Sequence, residues 1–292
     1  MASEGDRRSD PEVERRSRLL GGFHFHGEGA RGVAIALLST AVFLTVVIVA
    51  VTQSAGWPEV KRTFFDWGDI SSSFPDIARA FVLNVKIFLV CEVFILVFAL
   101  VIAVLRSLPG PVFFPLRAFA IVYADLARGV PTILVIALLG FGVPALGLSG
   151  VPTSALVWAT VALIIIYSAY VAEVYRAGIE SVHPSQDAAA RSLGLSRAQS
   201  LRHVVVPQAV RRVVPPLLND FIGLQKDTAL VALIGPVEAF RQAQIDTSAT
   251  FNFTPYVAAA LIFVAFTIPL ARLTDWLNER SRRRRLAAGI AP

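Results

Sequence analysis

The chain is short of charge, of lysine and of cysteine, and each shortage excludes something. Charged residues make up 16% of its 292 positions, against about 25% in an ordinary soluble domain. Its apolar residues run in long stretches instead of alternating, and its mean hydropathy is +0.64. A water-soluble globule is excluded, and a polytopic membrane protein remains. Cysteine occurs once, as Cys91 inside an apolar run, so there is no intrachain disulfide and no multi-cysteine metal site. Lysine occurs only as Lys61, Lys86 and Lys226, which follow Val, Val and Gln. A Walker-type phosphate loop needs a Gly-Lys pair, so the chain is not expected to hydrolyse ATP or to be an enzyme. The four histidines, His24, His26, His183 and His203, lie in the N-terminal tail or a polar loop. None stands with a nucleophile or with clustered ligands on adjacent spans, so no catalytic residue and no metal site is expected. No cleavable signal is expected either, because the first apolar run starts some thirty residues in and is long enough to span.

Arginine is what the chain does have. It crowds the tails (Arg7, Arg8, Arg15, Arg16, Arg18; Arg280 and Arg282 to Arg285) and the loop from Arg176 to Arg212. Nothing aromatic is interleaved with these runs, so nucleic-acid binding is not expected. Basic residues beside apolar spans are what the positive-inside rule produces.

A helix crossing ~30 Å of hydrocarbon needs about 20 mostly apolar residues. That length predicts six spans, at 33–51, 80–105, 116–146, 154–175, 213–235 and 255–276. The third is too long for one straight crossing, so it is expected to begin at the interface and enter the membrane near Pro131. Pro215-Pro216 is expected to open the fifth, where proline is best tolerated. Six spans put both termini on one side. The arginine-rich tails, the Arg106 to Arg117 turn and the 176–212 loop make that side the cytoplasm. The opposing loops carry only Lys61, Arg62 and Arg241.

The cytoplasmic loop has helix signals of its own. Ser185 is expected to cap a helix running through Gln186, Asp187, Ala188, Ala189, Ala190, Arg191, Ser192 and Leu193 and stopping at Gly194, before Leu195. Ser196 with Gln199 makes a capping box for a second helix ending near Pro207. Two helices meeting at a glycine form an elbow, and the three alanines leave a face another protein can approach closely. The alternative is a helix lying on lipid headgroups, but such helices usually carry bulky apolar residues. Alanine stands here instead, so docking is favoured. Polar residues inside spans are costly and face protein or water. Asn84, Lys86, Glu92, Asn219, Lys226, Asp227 and Thr228, with Glu173 and Arg176 at the cytoplasmic end of the fourth span, are therefore the pathway or gate candidates. Lys86 and Glu92, six apart, fall on different faces.

These residues also carry a resemblance. The run Ser185-Gln186-Asp187-Ala188-Ala189-Ala190, then Gly194, then nine residues to Val204-Val205-Val206-Pro207, is similar to the cytoplasmic loop of permease subunits of ATP-binding-cassette importers. The branch it resembles is the polar amino-acid branch of histidine and glutamine permeases. The family glutamate falls on Ala188, and the nearest acid, Asp187, is one position early. Arg128-Gly129-Val130-Pro131, Glu173-x-x-Arg176-x-Gly178, Pro207-Gln208-Ala209 and Lys226-Asp227-Thr228-Ala229-Leu230 extend the likeness in order over about 78–280.

The resemblance implies an all-α polytopic membrane helix bundle: a five-helix ABC type I importer permease core at 78–280, with its coupling loop at 176–212. Around it stand a disordered tail (1–30), an extra transmembrane helix with an external loop (31–77) and a basic tail (281–292). It further implies a multi-pass subunit of the bacterial cytoplasmic membrane forming half of a pathway for polar amino acids. The implied partners are two ABC ATPase subunits, a second permease subunit (the same chain or a paralogue) and an extracytoplasmic substrate-binding protein. ATP and magnesium would sit on the ATPase, with no cofactor on this chain. The rival reading is an ATP-independent secondary transporter, which normally needs more helices or an internal repeat.

Overall fold

The computed structural model describes residues 30–287, with side chains for 32–280. Of the disordered tail expected at 1–30, residues 1–29, with His24 and His26, lie outside the described residues, as do 288–292; Ala30 already belongs to a helix. The chain divides into two compact units, Met1–Glu59 and Val60–Pro292.

In the first unit, α1 (Ala30–Thr52) is uncharged from Gly32 onward and exposed along almost its whole length. Three of its hydroxyls bond within the helix: Ser39 and Thr40 both donate to the Ala36 carbonyl, at 3.0 and 2.8 Å, and Thr52 to the Ile48 carbonyl at 2.8 Å. That is the requirement for a helix surrounded by hydrocarbon.

The stretch 53–77, expected as an external loop, is largely helical. After α2 (Trp57–Phe64), the 41-residue α3 (Trp67–Ser107) starts well before Ala80. Asp66 caps it by accepting from the Asp69 N–H, and the Asp66 N–H donates to Thr254 Oγ1 at 3.2 Å. The early turns have something to pack on: Ile77 and Phe81 are buried with Ala239, Ala243, Ala258 and Ala259 in a small cluster of their own.

The third expected span is two helices, α4 (Phe114–Gly129) and α5 (Thr132–Ala145), bent by 101°. Proline disfavours the helical region for the residue before it, and Val130 before Pro131 is extended. The helix α6 (Ala155–Glu180) is the centre of the unit and packs against α3, α4, α5 and the later α9. It buries Ala159, Ala162, Ala169 and Ala172 fully. In lipid, where no hydrophobic force drives helices together, small residues of this kind allow close approach. Cys91 is buried in this main cluster.

The loop then folds as α7 (Pro184–Ser192), α8 (Arg197–Ser200) and one π turn (Leu201–Val205), leading without a break into α9 (Val206–Asp227). Pro215 and Pro216 lie inside α9 and do not open it, because Pro207 already occupies its first turn. A 3₁₀ segment (Thr228–Ile234), α10 (Ala239–Thr250) and α11 (Thr254–Ala287) complete the chain. The basic stretch expected as a tail from 281 is therefore helical to Ala287.

Among the described residues, four segments are long and apolar enough to cross a membrane, and five if α4 and α5 count as one. The expected fifth span, 213–235, is not among them. Asn219, Asp220, Gln225, Lys226 and Asp227 dilute it, and the α-helix tightens to 3₁₀ at Thr228.

Candidate functional site

The elbow that follows α6 is built from caps. Pro184 fixes the first helical position of α7, and His183 is its extended N-cap, its Nδ1 accepting from the Ser185 N–H at 3.2 Å. Ser185 is thus not the cap that was expected. It stands inside the first turn with Oγ 2.7 Å from the same imidazole nitrogen. The helix ends as expected on Gly194 at φ +89°. The Gly194 N–H reaches Arg191 O at 3.0 Å and the Leu195 N–H reaches Ala190 O at 3.2 Å. This pair of bonds is the Schellman stop, and it needs a residue free of Cβ strain at the left-handed position.

Ser196 and Gln199 form the expected capping box. The second helix does not stop near Pro207. A proline costs a helix little in its first turn, and there Pro207 extends the helix into α9.

Three ties stiffen the elbow. Ser200 Oγ, fully buried, donates to Asp187 Oδ1 at 2.5 Å and joins α8 to α7. Gln208 Nε2 reaches Gln186 Oε1 at 3.4 Å, and Arg212 donates to the Ser181 carbonyl. Of the three alanines, Ala188 and Ala189 are exposed, whereas Ala190 turns inward. Leu193, 85% exposed, crowns the bend beside exposed Gln186, Arg191, Ser192 and Gly194.

At the end of α6 that leads into the elbow, Glu173 gathers arginines from three helices. Its Oε2 accepts from Arg106 of α3 at 2.8 Å and lies 3.8 Å from Arg128 of α4. Its Oε1 accepts from Arg176, which also pairs with Glu180. Glu173 and Arg176, both gate candidates from the sequence, are thus paired within a larger knot. Arg106 was not singled out, although its place in the last turn of a long apolar helix was the available signal.

The span polar residues separate into two groups. Asn84 is buried and saturated: Nδ2 donates to Thr228 Oγ1 at 3.1 Å and Glu238 Oε2 at 2.8 Å, and Oδ1 accepts from the Ala239 N–H at 3.1 Å. Glu238 also caps α10 through the Phe240 and Arg241 N–H groups. Asn84 and Thr228 therefore pin α10 to α3. The other group faces more open space. Asp227 accepts from Tyr167 Oη at 3.0 Å. Glu92 and Asp220 are each half-buried; Phe88, one turn before Glu92, meets Phe221, the chain neighbour of Asp220, in edge contact at 4.4 Å. Lys86, Asn219 and Lys226 are exposed. Asp220, Glu238 and Tyr167 were missed as candidates. Asp220 adjoins Asn219 in sequence, whereas Tyr167 and Glu238 show their role only in three dimensions. No group of three His, Cys, Asp or Glu able to hold a metal occurs among the described residues.

The model of one family, the binding-protein-dependent transport system inner membrane component, matches residues 69–283. The chain belongs to that family. This inner membrane component is 32% identical over 217 residues to the probable amino-acid permease protein YxeN of Bacillus subtilis, an alignment covering 74% of the chain and 95% of the relative. It is 36% identical over 185 residues to the probable glutamine ABC transporter permease protein GlnM of the same organism, covering 63% and 83%. Among solved structures, an amino acid ABC transporter crystallised with histidines superposes with a TM-score of 0.68 at 32% identity, over 74% of this chain and 98% of that one. The MetNI methionine transporter, at 18% identity and a TM-score of 0.56, shares the fold. The chain is thus a permease built of helices, without strands among the described residues, and α1 and α2 lie ahead of the matched region.

Proposed function

We propose that this chain forms half of the membrane pathway of an ATP-driven importer of polar amino acids, and that the elbow at Gly194 is its contact with a separate ATPase. The observation that carries the reading is the elbow itself. A Schellman stop, a capping box and the Asp187–Ser200 bond hold the exposed Leu193 and Gly194 as one rigid tip. A tip built this stiffly transmits force. Two ATPases closing on ATP draw two such tips together and turn the pathway outward, and the Glu173 knot at the base of α6 carries the movement to α3 and α4. An extracytoplasmic binding protein delivers the amino acid. The second permease subunit is another copy or a paralogue.

In this reading α9 with its 3₁₀ extension crosses the membrane although it is polar, because its polar residues face protein or the pathway. Both termini are then cytoplasmic, as the arginine distribution requires. Glu92, Asn219, Lys226 and Asp227 border the route, and Glu173 with Arg176 closes its inner end. Asn84 and Thr228 hold the helices that frame it.

The test is purification of the full chain from its native membrane in mild detergent, followed by reconstitution of what comes with it. An ABC-type ATPase in near-equal amount and uptake of an amino acid that requires ATP are the expected results. A chain that emerges alone and moves solute without ATP would replace this reading with secondary transport.

A further inference from the structure

The second unit carries an apolar groove that the transport reading does not use. It has a volume of about 800 Å3 and lies between α3, α4 and α6, with Val90, Phe94, Phe98, Phe119 and Val157 in its walls. These five side chains are themselves 42–68% exposed, so the groove opens outward. From Val90 to Leu105 it follows α3 for ~22 Å at 1.5 Å per residue, longer than the ~15 Å of one hydrocarbon leaflet. The hydroxyl of Tyr123, also in the wall, is used up on the Ile165 carbonyl at 2.7 Å. Ser168, 1% exposed, lines the groove with an Oγ that has no partner.

A basic residue stands just outside the end of this groove that Leu105 and Phe119 line. The helix α4 puts Phe119 and Ala120 into the wall, and Arg117 stands just before them. Arg117 donates to the Leu108 carbonyl at 2.9 Å and lies over the Phe114 ring at 6.0 Å. None of the ion pairs among the described residues includes it. It is half-buried at the α3–α4 turn with most of its guanidinium donors unspent, whereas Arg106, Arg128 and Arg176 converge on Glu173.

We propose that the groove holds one acyl chain of an anionic phospholipid whose phosphate rests on Arg117. The length suits a fatty chain, the walls have almost no polar surface to oppose it, and the guanidinium fork matches phosphate oxygens. Charge complementarity selects an anionic headgroup over a zwitterionic one. The bound chain touches the same three helices that Glu173 ties together, so it braces the junction through which the elbow acts.

Native mass spectrometry of the assembled complex, taken from vesicles of equal phosphatidylglycerol and phosphatidylcholine, tests this. The wild type is expected to retain phosphatidylglycerol at least fivefold over phosphatidylcholine. Arg117→Gln removes that preference and Arg117→Lys keeps most of it. Val157→Trp, a substitution at an exposed wall position, narrows the groove and lowers retention of both lipids, with elution and thermal unfolding like wild type. Equal retention of the two lipids by the wild type, or unchanged phosphatidylglycerol in Arg117→Gln and Val157→Trp, overturns the proposal. Benzoylphenylalanine at Phe98 in native membranes gives a lipid adduct if the proposal holds. A protein adduct there instead makes the groove a subunit interface and overturns it.

Discussion

Gly194 is the residue on which the coupling reading turns, and its backbone gives a clean way to test it. At φ +89° an L side chain is strained, yet an added Cβ meets nothing within 4 Å. Substitution there costs ~1–2 kcal/mol of backbone strain and leaves packing inside the chain untouched, so a defect would arise at the outer contact. Gly194→Asn, which tolerates the left-handed region, should keep more uptake than Gly194→Leu. The leucine variant should assemble but split ATP hydrolysis from uptake in vesicles. Wild-type uptake by Gly194→Leu would falsify the docking role. Glu173 invites a different comparison. Its partner Arg106 has a side chain only 13% exposed, so Glu173→Gln strands a nearly buried cation, a loss on the order of 3 kcal/mol. Glu180, whose side chain is 62% exposed, shares Arg176 but is solvated, so Glu180→Gln should cost no more than ~1 kcal/mol. Thermal unfolding of the two purified variants checks this, and equal losses would mean that Glu173 is not the organising acid.

Between elements, the decisive contacts are one polar pin and one close approach. Asn84→Leu leaves the buried Glu238 carboxylate without its side-chain donor, a desolvation penalty of ~1–3 kcal/mol. Hydrogen exchange should accelerate in α10 while α6 stays protected; uniform loosening would mean the pin serves the whole bundle. Where α6 meets α9, a Cβ on Gly178 would overlap the Val213 side chain. Gly178→Ala should therefore destabilise by ~1–3 kcal/mol through overpacking, and the double variant with Val213→Ala should recover most of that loss. The sequence foretold the long helices because an apolar run of span length has few other fates. It foretold the Gly194 stop and the Ser196 box because caps are written in neighbouring residues. It did not reveal the early start of α3, because the polar stretch before Ala80 is held by Thr254 and by the faces of α10 and α11, nearly two hundred residues away. The His183 cap escaped for a smaller reason: serine is the commoner N-cap, and Pro184 shifted the helix start by two positions.

For the whole molecule, the main question is what the N-terminal unit contributes. The family match begins at residue 69, and 74% of this chain aligns with 95% of YxeN and, by structure, with 98% of the histidine-bound transporter subunit. A shorter chain is therefore a complete relative. The second unit also closes its own edge: the Phe253 N–H donates to the Thr63 carbonyl at 2.8 Å, Asn252 Nδ2 to the Arg62 carbonyl at 3.1 Å, and the Phe64 and Phe253 rings stack at 5.5 Å. These contacts fasten 62–64 to the start of α11 and lie wholly within the second unit. The pathway candidates and the elbow all lie in that unit too. Removing residues 2–59 should thus leave the chain able to assemble with its ATPase and to support ATP-driven uptake at a rate within about twofold of the full chain, a change of less than ~0.5 kcal/mol in barrier. The measurement is uptake by vesicles carrying equal amounts of each form. A loss of uptake with the ATPase still bound would assign α1 a part in transport itself, and a loss of the ATPase would place it in assembly.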